Sequence, residues 1–277
     1  MKTKKTKNKI TVKKNTTKKL KFDKLKETIV KSFKELLLSF KEKKIIWAFI
    51  YDAVFILIAG IILKTASQIL MGRINALGIS QTATPELMVQ NMAVMKQFMY
   101  TATVTAIIVY IILILVYTIS RGLIWAKIMD RQLTKKYLLK FGLLSLIWIT
   151  GWIAVFSVIV TISNQQYYKW IMIVLGISYL HLTTILHHSF TYKNTIGSAV
   201  QKAFAIGIGK INKLILPYIY IIIIFIVVGQ IMNIPTRMTY GITATQTIGV
   251  IGIVVLLLFA AWYRTYINKK IKQIETA

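Results

Sequence analysis

The sequence predicts an all-α fold: a polytopic membrane helix bundle of about six spans, with a basic amphipathic N-terminal surface helix. Three observations carry this. The 277 residues are 56% hydrophobic, yet they hold 36 Lys+Arg against 8 Asp+Glu for a net charge of +28. The charge and the apolar residues are segregated along the chain. The basic residues also alternate from loop to loop. This composition excludes a soluble enzyme and a fibrous repeat, and the lack of Cys excludes a disulfide scaffold.

The apolar runs define the spans. A helix needs ~20 mostly apolar residues to cross ~30 Å of hydrocarbon. Runs at Ile45–Leu63, Thr101–Ile119, Phe141–Ile162, Trp170–Leu186, Leu214–Met232 and Thr247–Ile267 approach that length. The fourth is the shortest and the most polar. Their Ile, Leu and Val content would favour strands in water. In lipid only helices and closed barrels satisfy the backbone, and barrel strands alternate in polarity. Tyr218–Val228 reads YIYIIIIFIVV, without alternation, and predicts helix.

Lys and Arg collect in short loops on the cytoplasmic side. Residues 1–44 hold 17 Lys, and with loops 120–140 and 187–213 and the C-terminal end that side carries 31 basic residues against 5 on the other. Six spans with both termini cytoplasmic fit at every loop. Dropping the fourth span would place a Lys-rich loop outside. The expected location is the cell membrane, multi-pass.

Four regions follow. Residues 1–19 are Lys, Thr and Asn with few apolar residues. They cannot bury enough surface to fold, and they lack the apolar core of a signal peptide. Residues 20–44 form an amphipathic interfacial helix, with Phe22, Leu25, Ile29, Phe33, Leu36, Leu37 and Phe40 at helical spacing among Lys and Glu. Residues 45–267 form the six-span membrane domain, and 268–277 a cytoplasmic tail. The partners this implies are the bilayer and anionic lipid headgroups, each Lys near the surface contributing ~1 kcal/mol. Nucleic acid is disfavoured, since residues 1–19 offer no folded module or interleaved aromatics.

A basic segment precedes an odd-numbered span three times, at 33–49, 133–148 and 200–220, and suggests three units of amphipathic helix plus hairpin. Gly60, Gly151, Gly176, Gly249 and Gly252 are candidate close-packing positions. Pro217 is expected near the start of the fifth span, where a missing N–H costs least. Residues 86–97, ELMVQNMAVMKQ, suggest a short helix in the outer loop. Trp125, Trp262, Tyr100, Tyr167, Tyr168, Trp170 and Tyr263 are expected at the interfaces, and Trp148 and Trp152 in helix packing.

An amphipathic helix ending near Lys43-Lys44, the segment GLIWAKI at 122–128 and the segment SAVQKAF at 198–204 together resemble a group of six-span membrane proteins. That group includes the membrane domain fused to some glycerophosphodiester phosphodiesterases and stand-alone bacterial and archaeal relatives. The resemblance covers roughly residues 25–267 and implies the six-span fold. It implies no phosphodiesterase activity, because the sequence holds no counterpart of that domain.

Candidate chemistry is sparse. With three His, eight acids and no Cys, no metal-ligand or nucleophile–base spacing is visible, so neither cofactor nor catalysis is expected. The Gly209-Lys210 pair lacks the earlier Gly, the hydroxyl and the strand of a phosphate loop. Asp52 is the sole carboxylate inside an expected span. It costs ~3 kcal/mol mid-membrane and needs a partner. Asp52 and His181 both lie ~10 Å from the inner ends of their spans at the helical rise. Ser178, His181, Thr184 and His188 share a face.

Two readings of Asp52 follow: a proton- or ion-linked site with His181, or a structural role in which Asp52 is neutral or pairs with a snorkelling Lys. His187 and His188 are expected to be solvated at the interface. The function expected is a membrane-organising or assembly component without catalytic chemistry. The alternative is a small-solute or ion transporter component using Asp52 and His181.

Overall fold

The computed structural model describes residues 26–76, 92–163, 165–191, 193, 195–238 and 242–276. The described residues form eight helices and no strand. These are α1 (26–39), α2 (Lys44–Ala76), α3 (Met92–Ile128), α4 (Lys135–Ile162), α5 (Gln165–Ser189), α6 (Ile196–Gly207), α7 (Ile211–Met238) and α8 (Ile242–Thr276). Six of them, α2 to α5 with α7 and α8, are long and apolar enough to cross a membrane. The chain is therefore a multi-pass, all-helical membrane protein. The tail at 1–19 and residues 20–25 lie outside the described residues.

Each long helix outlasts its apolar run. Helix α3 has 37 residues, or ~55 Å at the helical rise, well beyond the hydrocarbon core. Its C-terminal end carries Arg121 and Lys127, expected in a loop. Its N-terminal end absorbs 92–97, so these residues begin a long helix rather than forming part of a separate short one. Segment 268–276, expected as a tail, continues α8, and Ile271 and Ile274 on it are buried. Pro217 is the seventh residue of α7, not near its start. The carbonyl four residues earlier loses its usual donor there, and the helix continues through it.

The chain divides into two compact units, 1–45 with 210–277, and 46–209. In the first, α7 pairs with α8. Helix α1 docks on α8 through Ser32, Leu36 and Ser39, all buried at i, i+4, i+7 spacing. Trp262 Nε1 donates to Ser39 Oγ at 2.8 Å, and its ring stacks on Phe40 at 4.6 Å. Lys270 Nζ donates to Ser32 Oγ at 3.3 Å and pairs with Glu35. Lys269 pairs with Glu42 at 2.6 Å. The hydroxyl of Tyr220 donates to the Ile29 carbonyl at 3.1 Å.

In the second unit α3 pairs with α4, α5 with α6, and α4 less extensively with α5. The closest hairpin of long helices here is therefore spans two and three, joined by the short turn 129–134. It is not the pairing of one with two or three with four that the repeat suggested. A short helix, a turn and a long helix recur at α1–α2 and α6–α7. The second basic segment has no such break and runs straight into α4. In α4 the buried stripe is Tyr137, Phe141, Leu144 and Trp148, at the spacing that keeps one face toward a neighbour.

Close approach occurs at Gly122 and Gly207, and not at four of the five glycines expected. Built Cβ atoms at Gly60, Gly151, Gly176 and Gly249 meet nothing within 4 Å. A Cβ on Gly122 would lie 2.8 Å from Leu138 Cδ2, and one on Gly207 would lie 2.8 Å from Leu182 Cδ2.

Candidate functional site

The polar residues buried in the second unit gather toward the ends of α2 to α5 that carry the Lys and Arg. Helix α2 presents Asp52, which is 1% exposed. Its partner is Arg121 of α3, whose Nη1 donates to Asp52 Oδ1. The guanidinium also lies 5.3 Å from the Phe55 ring centroid and 5.4 Å from that of Tyr117. Rings on both helices thus add cation–π attraction to the ion pair. One turn of backbone is tied as well, since Ser120 Oγ donates to the Tyr51 carbonyl at 3.1 Å.

The cation at Asp52 is therefore an arginine of the neighbouring span, not a snorkelling lysine. The apolar run ends at Ile119, so the sequence alone suggests a loop at Arg121. Its planar fork suits a buried carboxylate better than an ammonium does. Two opposite charges held together leave the seam close to neutral, which lowers the cost each would carry alone in hydrocarbon.

His181 has a different neighbour. Its Nε2 lies 3.0 Å from the Gly207 carbonyl oxygen, at the C-terminal end of α6. The absence of a side chain at Gly207 makes this possible, since a Cβ there would lie 3.2 Å from the same nitrogen. Ser178 and Thr184, on the expected polar face, bond their own helix: their hydroxyls donate to the Val174 and Leu180 carbonyls at 2.8 Å each. Such back-bonding satisfies hydroxyls within a membrane helix.

His187 and His188 correct an expectation. They are 3% and 2% exposed, not solvated. The His187 ring sits 4.9 Å from Phe141, 6.0 Å from Trp125 and 6.2 Å from Tyr117, measured between centroids. The helix extensions cause this. Tyr117 and Trp125 lie on α3 beyond or at the end of the apolar run, and they close around the end of α5. Trp125 and Trp262 are likewise buried, whereas Tyr100, Tyr167, Tyr168 and Trp170 are exposed. Trp148 packs as expected, with Nε1 donating to Thr183 Oγ1 at 2.8 Å.

The turn between α3 and α4 is built by two caps. Asp130 adopts φ 54°, the left-handed conformation that ends a helix. Arg131 N then donates to the Ala126 carbonyl at 2.8 Å, and Asp130 N to that of Lys127 at 3.4 Å. This paired pattern closes α3 and swings Arg131 toward α5, where its guanidinium donates to the Phe190 and His188 carbonyls. Thr134 starts α4 by accepting from Tyr137 N at 3.1 Å.

Among the described residues no group of three His, Cys, Asp or Glu stands close enough together to hold a metal. No protein-family model, curated protein or solved structure matches the chain.

Proposed function

We propose that this chain is a non-catalytic membrane-organising or assembly component of the cell membrane, with both termini cytoplasmic and α1 lying on anionic headgroups of the inner leaflet. One observation carries the reading. Helix α1 docks on α8 by a narrow edge of Ser32, Leu36 and Ser39, while Ile29, Phe33, Leu37 and Phe40 stay 39%, 50%, 51% and 49% exposed. Lys34 and Lys41 flank that apolar face and are exposed too. An apolar stripe with a lysine border is the pattern of a helix seated in the headgroup–acyl boundary. Anchoring to α8 by Lys270, Ser39 and Trp262 would hold that stripe at a set angle. The 31-to-5 division of basic residues supports the cytoplasmic placement.

The pairing of Asp52 with Arg121 supports this reading over transport. A carboxylate already matched by an arginine in a ring-lined seam is a poor proton or cation carrier, because releasing the pair exposes two buried charges. The test is to extract the protein in native lipid and identify by mass spectrometry what co-purifies in stoichiometric amount. A protein partner, or anionic lipid lost on Phe33→Asp/Leu37→Asp, supports the proposal. Solute flux in reconstituted vesicles that Asp52→Asn abolishes would replace it with the transporter reading.

A further inference from the structure

We propose that α7 pairs, within the membrane, with α7 of a second copy of this chain, through a seam of Ile219, Ile223, Ile226 and Gln230. These four recur at spacings of four, three and four residues, the heptad pattern that keeps one stripe toward a partner helix. The three isoleucines are 46%, 52% and 55% exposed, and Gln230 is exposed as well. Leu214 and Ile221, on the opposite side of the helix, are buried. Helix α7 therefore turns one side to its own unit, where it pairs with α8, and presents the seam outward.

Gln230 carries the argument. The stretch of α7 that is apolar enough to span runs to Ile231, so the amide lies inside it. Along the axis it stands ~25 Å from Lys213 in the first turn of α7, short of the ~30 Å thickness of the hydrocarbon core. Among the described residues its side chain has no hydrogen-bond partner. Gly229 beside it leaves that flank open, because a Cβ there would meet nothing within 4 Å. Lipid covers exposed isoleucine as well as protein does, so the isoleucines alone call for no partner. An unpaired amide in hydrocarbon does call for one, since no water replaces the missing bonds.

Insertion in one sense decides the partner. Every copy crosses the bilayer the same way, so two α7 helices meet in parallel about a two-fold axis, with like residues at like depth. A glutamine amide both donates and accepts, so Gln230 and the partner's Gln230 satisfy each other. The seam carries no charge that would oppose the approach. A different membrane protein would need its own polar group at that depth, whereas a second copy supplies one by symmetry. The seam shares no residue with α1, and the inference rests only on the multi-pass helical fold.

The full-length protein in phosphatidylcholine vesicles provides the test. The chain has no Cys, so single cysteines can be placed without background. Oxidation should cross-link Ile219→Cys and Ile226→Cys into dimers, since a symmetric parallel seam brings like positions within disulfide reach. Ile177→Cys on α5, where the native side chain is 63% exposed, should stay monomeric. Single-molecule photobleaching across a dilution series should give a dimer. Its dissociation constant should rise about tenfold on Gln230→Leu and be largely retained in Gln230→Asn. Leucine is the more apolar residue, so Gln230→Leu should insert at least as well as the parent chain. A contact within the chain that covers the seam would leave the protein monomeric at every dilution, and this result would overturn the proposal. So would equal cross-linking at 219, 226 and 177, or a dimer that Gln230→Leu leaves unchanged.

Discussion

Arg121 and Asp52 form an ion pair between α2 and α3, across 69 positions of sequence, with the carboxylate almost wholly buried. The pair closes a seam that also holds Phe55, Tyr117, Ser120 and the Tyr51 carbonyl. Removing one partner of a buried pair leaves the other uncompensated, which costs about 3–5 kcal/mol. Asp52→Asn should therefore lower the thermal midpoint in nanodiscs markedly. The double variant Asp52→Asn/Arg121→Gln should recover part of the loss, because no lone charge remains. A midpoint unchanged in Asp52→Asn would show that the pair does not hold the helices.

Glu35 links α1 to pH. Burial raises its pKa, but the hydrogen bond and charge of Lys270, with Gln273 and Lys31, outweigh burial and hold it below the ordinary value of 4.5. A lowered carboxylate pKa gives stability that is complete above the unfolded value and is lost as pH falls through the folded one. Docking of α1 on α8 should be unchanged from neutral pH down to about 5 and should loosen below about 4. Spin labels at Lys34 and Lys272, both exposed, would report the distance. Glu35→Gln should abolish the acid transition, and an identical transition in that variant would contradict the assignment.

Two glycines should respond oppositely to alanine. At Gly207 a Cβ would stand 2.8 Å from Leu182 Cδ2 and 3.2 Å from His181 Nε2 and Ile185 Cδ1. Overpacking of this kind costs about 1–3 kcal/mol, so Gly207→Ala should destabilise and displace His181. Gly60 has open space around it, and Gly60→Ala should be neutral or stabilise by up to about 1 kcal/mol. Parallel melting curves check both.

Trp148 should prove to be a structural residue rather than part of a ligand cage. Trp148→Phe keeps the ring packing against Trp152 and Phe204 but removes the 2.8 Å bond to Thr183. A loss of about 1 kcal/mol is expected in a chemical unfolding titration.

Hydropathy and the placement of lysines were enough to read the six long helices and α1, because lipid allows few alternatives for an apolar run. The ends of the helices were not legible. Apolar runs stop where the hydrocarbon stops, but hydrogen bonding carries α3 on to Ile128 and α8 on to Thr276. That error hid the partner of Asp52, since Arg121 reads as a loop residue if the helix ends at Ile119. It also placed His187 and His188 in solvent, when Trp125 on the extension packs beside His187. The matched depth of Asp52 and His181 was arithmetic along two helices and said nothing of rotation about their axes. Asp52 turns to Arg121 and His181 to the Gly207 carbonyl.

The central claim is that the apolar face of α1 rests in an anionic membrane surface. Because the chain has no Cys, a single label can be placed at Leu37 or Lys34 without background. Lipid-depth measurement by spin-label accessibility, in nanodiscs with and without phosphatidylglycerol, is the most direct test. The account predicts Leu37 at the headgroup–acyl boundary and Lys34 shallower, with both moving outward in high salt or neutral lipid. Leu37 and Lys34 equally open to water in anionic lipid would contradict it.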